Sequence, residues 1–160
     1  SLMMQWCTDL NKFFVECFRV LKSDGLILFS TFGPDTLKEL KKSWSVVDNK
    51  DHVNKFVDMH DIGDQLLNNG FQDPVMEMEK LVVNYETVVE LLRDIKGIGA
   101  QTVIHRSKSL TGKSMFNGMV EMYESYRKDG KIPATYEVVY GHAWKKTDSL
   151  EKISINYEGL

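Results

Sequence analysis

Apolar residues fall into blocks whose spacing changes along the chain. Leu10, Phe13, Phe14, Cys17, Phe18 and Leu21 recur every three or four positions, which predicts an amphipathic helix starting near Thr8 or Asp9. Ser23-Asp24-Gly25 ends it, with Gly25 expected to supply a left-handed cap. Leu26-Ile27-Leu28-Phe29-Ser30 is a short continuous apolar run, expected as a strand buried on both faces. Thr31-Phe32-Gly33-Pro34-Asp35 is then a loop leaving the C-terminal end of that strand. Ligands bind at such ends in open α/β sheets.

Thr36 and Glu39 have capping-box spacing ahead of the stripe Leu37, Leu40, Trp44, Val47. The polar stretch from Asp48 to Val57 reads as loop. A short helix is predicted from Asp58, through Ile62, Leu66 and Leu67, to Asn69-Gly70. Val75 to Tyr85 reads as a strand with imperfect alternation. Thr87 and Glu90 form a second capping-box pair before a helix that buries Val88, Leu91, Leu92 and Ile95 and stops at Gly97. Residues 97–114 read as loop. Met115, Phe116, Met119, Met122, Tyr123 and Tyr126 mark a longer helix, its methionines expected in the core. Gly130 and Pro133 follow it, and Thr135 to Trp144 is a strand rich in Val and Tyr. The order is α, β, α, α, β, α, α, β, an α/β chain with about three strands. Three strands are few for five helices, so either strands come from another chain or this is the C-terminal part of a larger α/β domain.

Composition narrows the class. The 160 residues are 42% hydrophobic and 27% charged, and 3 prolines and 11 glycines exclude a disordered or fibrous chain. Twenty Lys and Arg against 23 Asp and Glu give −3, which argues against a nucleic-acid binder. No apolar run approaches the ~18 residues of a membrane span. Cys7 and Cys17 fit no zinc motif and are expected as free thiols of a cytoplasmic protein, and secretion is not expected from the opening residues. His52, His60, His105 and His142 show no metal-ligand spacing, so no metal site is expected.

Several short segments, in order, resemble one family. Met4-Gln5-Trp6-Cys7, the helix ending Leu21-Lys22-Ser23-Asp24-Gly25, and Leu26-Ile27-Leu28-Phe29-Ser30-Thr31-Phe32-Gly33 are similar to the second half of a class I S-adenosylmethionine-dependent methyltransferase. The stretch from Ser30 to Leu40, Leu92 to Ala100 (with Lys96-Gly97-Ile98-Gly99-Ala100), Leu110-Thr111-Gly112-Lys113 and Ala134-Thr135-Tyr136 resemble the malonyl-[acyl-carrier protein] O-methyltransferases of biotin synthesis, the BioC family. The resemblance spans residues 3–145. It implies a Rossmann-like class I methyltransferase fold, here its C-terminal half, with residues 26–30 pairing with 135–144 and those with 75–84. The family's glycine-rich cofactor turn is not found in residues 1–160, because Gly97-Ile98-Gly99 follows a helix rather than a strand. The expectation is therefore a piece of a larger enzyme, inactive alone, with 1–146 as the domain fragment and 147–160 as a tail.

The resemblance also implies the reaction: methyl transfer from S-adenosylmethionine to the free carboxylate of malonyl-acyl-carrier protein. A carboxylate, with pKa about 4, is ionised at neutral pH and needs no general base. Alignment then supplies the catalysis, worth at best about 7–11 kcal/mol, and no catalytic acid or base is expected among these residues. The cofactor-side candidates are Gln5 and Trp6, at the end of the family's fourth strand, with core packing as the competing role for Trp6. Thr31 and Phe32 would wall the pocket, and Phe56 matches a recurring family aromatic expected against the substrate. Residues 87–133 are expected as a helical insertion on the substrate side. Within them Lys96 and Arg106 are candidates, although Lys96 at a helix end also offsets the helix dipole. Arg106 suits a carboxylate or phosphate, or, with Lys108 and Lys113, an acidic carrier protein. Tyr136 is the last candidate, sharing a strand face with Tyr140. Two rival readings stand: another small-molecule carboxyl or O-methyltransferase, and a non-catalytic module that binds acyl-carrier protein. The apolar strand 26–30 would have a free edge, an invitation to self-association.

Overall fold

The computed structural model describes residues 4, 7, 9–97 and 112–146. Their elements are α1 (Leu10–Val20), β1 (Gly25–Phe32), α2 (Lys38–Ser45), α3 (Met59–Asn68), β2 (Gln72–Tyr85), α4 (Val88–Gly97), α5 (Lys113–Glu124) and β3 (Ile132–Lys145). The order is the one expected from spacing. The strands form a single sheet in the order β1-β3-β2. β3 runs antiparallel to β1, since Asp24 N–H donates to Lys145 O at 2.7 Å and Gly33 N–H to Glu137 O at 2.9 Å. The pairing expected from the resemblance is thus present.

The chain divides into two compact units, residues 1–32, 57–78 and 139–160 in the first, 33–56 and 79–138 in the second. In the first unit α1 packs on α3. Its core holds Met4, Phe14, Ile27, Phe29, Ile62, Leu66, Phe71 and Ala143, with the predicted helix face of Leu10, Phe13, Cys17, Phe18 and Leu21 packed against it. Phe14 sits at the centre, its ring 5.3 Å from Phe13, 6.0 Å from Phe29 and 6.3 Å from Phe71. Burying such a side chain contributes about 1.5–3 kcal/mol. Asp9 caps α1 by accepting from Lys12 N–H at 2.9 Å. At the other end Lys145 Nζ donates to Phe18 O and Leu21 O at 2.7 and 2.9 Å, placing a cation on the carbonyls where the helix dipole favours one. α3 begins at its predicted cap, Asp58, and closes before Gly70, whose φ of 85° is the left-handed value that glycine adopts without a Cβ penalty.

Two local expectations in this unit are corrected. The left-handed residue after α1 is Asp24, at φ 58°, and Gly25 already begins β1. Asp tolerates that region, and Gly25 serves close approach instead: a Cβ there would lie 2.7 Å from Lys22 O. Nor is β1 buried on both faces. Ile27 and Phe29 turn into the core, whereas Leu26 is 42% and Leu28 73% exposed. The helices of this unit pack on one face of the strand, so its apolar run covers two faces but buries only one.

In the second unit α2 and α4 both pack against α5. Val88, Leu91 and Ile95 of α4 and Met119 and Tyr123 of α5 are buried, as their spacing predicts. Glu90 N–H donates to Thr87 Oγ1 at 3.2 Å, so the second capping pair forms on its Thr side. The first does not. Leu37, at φ 56° and with no side-chain cap bond, occupies the N-cap of α2. Thr36 and Glu39 are drawn away to β3 instead. Thr36 Oγ1 donates to Glu137 O and accepts from Glu137 N–H, each at 3.1 Å, and Glu39 holds Thr135. Nearby strand groups offered these side chains better-satisfied bonds than the helix terminus did.

Candidate functional site

A cavity within the second unit lies where α2 meets the loop 46–58. It has a volume of about 600 Å³, within the range of small-molecule sites. α2 supplies Lys41, Trp44 and Ser45, the loop before it Pro34, and the 48–56 stretch the rest, including His52 and Phe56. The helix turns Leu40 and Trp44 inward, both under a tenth exposed, so that the next residue along, Lys41, comes to the cavity rim.

One wall is aromatic. The Trp44 and His52 rings stack with centroids 3.8 Å apart and planes 11° apart. His52 Nε2 lies 2.7 Å from Asp48 Oδ1. An ionised carboxylate can only accept, so Nε2 carries the hydrogen. Burial pushes the Asp48 carboxyl up, but the bonds from His52 and from Lys50 N–H outweigh it and the net shift is downward. The ring of His52 is thus fixed on one side by stacking and on the other by a charge-assisted bond.

The opposite feature is a cation. Lys41 Nζ donates to Pro34 O at 2.8 Å and stands 5.2 Å from the centroid of the Phe56 ring. Burial holds its pKa below the ordinary lysine value, Asp35 and Glu137 pulling the other way. Both of those carboxylates are occupied: Asp35 Oδ2 accepts from Lys80 Nζ at 2.6 Å, and Glu137 Oε2 accepts from Asp35 N–H at 2.6 Å. Of the carboxylates lining the cavity, Asp48 holds His52 and Asp51 pairs with Lys55 at 2.8 Å. The lining is better matched to an anion than to the diol of a ribose.

Of the residues singled out from sequence, Phe56 lines this cavity. Thr31 and Phe32 are buried at the C-terminal end of β1, 4% and 6% exposed, and are not among the cavity residues. Lys96 is exposed in the last turn of α4, where its charge suits the helix dipole. Tyr136 is buried in β3, and its phenol pKa is raised chiefly by burial and by a hydrogen bond with Tyr85. Gln5, Trp6 and Arg106 lie outside the described residues. So do most of Lys96-Gly97-Ile98-Gly99-Ala100, half of Leu110-Thr111-Gly112-Lys113, and the tail after Lys146. Sequence reasoning missed Lys41, Trp44 and His52 as site residues. Trp44 was visible only as part of a core stripe, and nothing distinguishes Lys41 from the other lysines of α2. Among the described residues no group of His, Cys, Asp and Glu gathers as a metal site, and no helix is long and apolar enough to cross a membrane.

Comparison with curated proteins shows what the chain is similar to. Over 146 residues, 91% of its length, the chain is 56% identical to the malonyl-[acyl-carrier protein] O-methyltransferase of Gallionella capsiferriformans. The chain is a relative of the malonyl-[acyl-carrier protein] O-methyltransferases. It is 52% identical to the protein of that name from Nitrosospira multiformis over 91% of this chain, and 50% identical to malonyl-[acyl-carrier protein] O-methyltransferase 1 of Coxiella burnetii over 90%. The chain spans about half the length of these relatives, 50%, 48% and 51% respectively. No family model matches it. Among solved structures, the YcgJ protein of Bacillus subtilis superposes with a TM-score of 0.52 at 12% identity, covering 88% of this chain and 59% of that one. A candidate methyltransferase from Bacillus halodurans superposes with a TM-score of 0.51 at 15% identity, covering 91% and 62%. These likenesses show the fold alone, an α/β arrangement shared with those proteins, and in the described sheet β3 lies between β1 and β2.

Proposed function

We propose that this chain is the substrate-side part of an S-adenosylmethionine-dependent O-methyltransferase that esterifies the free carboxylate of malonyl-acyl-carrier protein, in the biotin pathway and in the cytoplasm. The observation that carries this is the 56% identity over 91% of the chain to a malonyl-[acyl-carrier protein] O-methyltransferase. S-adenosylmethionine would supply the methyl group when bound in the whole protein. This chain's contribution is to receive the acyl end, exclude water from it and hold it in line. Residues 87–133 form the substrate-side insertion, and Thr31, Phe32, Lys96, Arg106 and Tyr136 remain binding candidates in the whole protein, as Gln5 and Trp6 do for the cofactor.

The test is methyl-ester formation by the whole protein that carries this chain, given labelled S-adenosylmethionine and malonyl-acyl-carrier protein. Transfer to the malonyl carrier and not to small free acids supports the reading. Equal activity on small acids favours the small-molecule methyltransferase, and carrier binding without any transfer favours the non-catalytic module. The 160-residue chain by itself is expected to show no heat of binding with S-adenosylmethionine, and micromolar binding would defeat the view that the cofactor turn lies elsewhere. In isolation it is also expected to self-associate through β1, which is an edge strand of the described sheet. A clean monomer by light scattering would count against that.

A further inference from the structure

The cavity beside α2 contains an ammonium that the protein leaves under-used. Lys41 has three N–H donors, and the described structure gives it one acceptor, the carbonyl of Pro34. Among the described residues no carboxylate lies within ion-pair distance of it, whereas the lining carboxylates Asp48 and Asp51 each have a partner. The ammonium is half-buried beside the Phe56 ring, so it is partly stripped of water without being neutralised by an anion. A partly desolvated cation with spare donors, open to a cavity of about 600 Å³, gains most from a ligand that brings an anion of its own.

The walls set what the rest of that ligand must be. Trp44, His52 and Phe56 offer flat apolar surface and ring faces, and His52 is locked in place by Asp48. Such a pocket suits a short chain with an anionic head and an uncharged stem.

We propose that this cavity receives the acyl end of the substrate, the Lys41 ammonium holding its terminal carboxylate while Phe56 and the Trp44–His52 stack enclose the stem. The assignment rests on the methyltransferase reading above for the identity of the ligand, but not for the existence of an anion site. Lys41 acts here by binding and orientation. It fixes the direction from which the carboxylate oxygens are presented, which is where alignment catalysis is won or lost.

The same anion chemistry could come from a phosphate on a carrier's prosthetic arm, and the experiment separates the two. Steady-state kinetics would use the whole protein with malonyl-pantetheine, which has the carboxylate and no phosphate. Lys41→Met is expected to raise KM for the thioester about tenfold or more, the loss of one charge-assisted hydrogen bond, and Lys41→Arg to recover most of it. KM for S-adenosylmethionine should stay within about twofold; a rise confined to the thioester KM marks a lost contact, because a smaller folded fraction lowers Vmax and moves neither KM. An unchanged thioester KM in Lys41→Met overturns the inference and leaves the methyltransferase reading intact. Equilibrium dialysis with malonyl-pantetheine, without cofactor, covers the reverse case. If the wild type forms no ester yet binds the thioester, and Lys41→Met does not bind it, the site stands and the reaction falls. Equal binding by wild type and variant overturns the site. Competition by inorganic phosphate as strong as that by malonate would also overturn the carboxylate assignment.

Discussion

Glu39 grips Thr135 with both carboxylate oxygens: Oε1 accepts from the Thr135 hydroxyl at 2.5 Å and Oε2 from its N–H at 3.0 Å. Both residues are buried, 7% and 4% exposed. The bond ties the first turn of α2 to the start of β3, 96 positions away in sequence. It thereby holds the helix that presents Lys41 and Trp44.

Removing that grip leaves a buried N–H and a buried hydroxyl without acceptors. Glu39→Ala should therefore destabilise by about 2–4 kcal/mol, two unsatisfied groups at about 1–3 each with some relaxation. Glu39→Gln keeps one acceptor and should cost less. The urea midpoints of the three proteins give the comparison, and equal midpoints for Ala and wild type would refute the role.

Gly33 illustrates a close approach with a chemical purpose. A Cβ there would lie 2.7 Å from Glu137 Cδ, on the side chain whose Oε2 accepts from Asp35 N–H. Gly33→Ala should push that carboxylate off its bond and cost about 1–3 kcal/mol. In Glu137→Ala the obstacle is already gone, so adding Gly33→Ala should cost little more. Strictly additive losses in the double variant would show the clash to be irrelevant.

Gly141 in β3 is more tightly confined: a Cβ added there would lie 2.3 Å from Phe29 Cζ and 2.8 Å from Met76 Sδ. The alanine variant should overpack the first unit's core by about 1–3 kcal/mol or more. Phe29→Leu, destabilising by itself, should recover part of the loss when combined with it. Thermal melts of the single and double variants decide this, and a double variant worse than the sum would contradict it.

The Lys80–Asp35 pair predicts a pH dependence with a definite sign. The hydrogen bond from Lys80 holds the Asp35 carboxyl below its ordinary value of 3.8. A depressed carboxyl contributes stability above its unfolded pKa and loses it as pH falls through the folded one. The pair is nearly half exposed, so the contribution is small. Lys80→Met should melt slightly below wild type near pH 7, and the gap should close below about pH 4. A gap that persisted in acid would mean that Lys80 stabilises by packing rather than by charge.

Much of the fold was legible along the chain because local physics decided it. Helical spacing in α1 and α5, the Asp58 cap and the run at 26–30 each needed only near neighbours to be read. The candidate site was legible in fewer places. Phe56 was found through a resemblance, whereas Lys41 matters only because Pro34, Phe56 and the loop 46–58 close round it.

By itself the sequence determined the element order, the inner faces of the helices and, through matching segments, the relatives to which the chain is similar. Periodicity and motif are short-range properties, and they survive whatever the rest of the chain does. Tertiary structure decided which side-chain bonds are made and which faces are covered. Thr36 and Glu39 left a helix cap for strand partners distant in sequence, Leu28 remained exposed despite its apolar neighbours, and one lysine among several became a half-buried cation with no counter-ion among the described residues. Each outcome depends on competing partners that only the folded chain brings together.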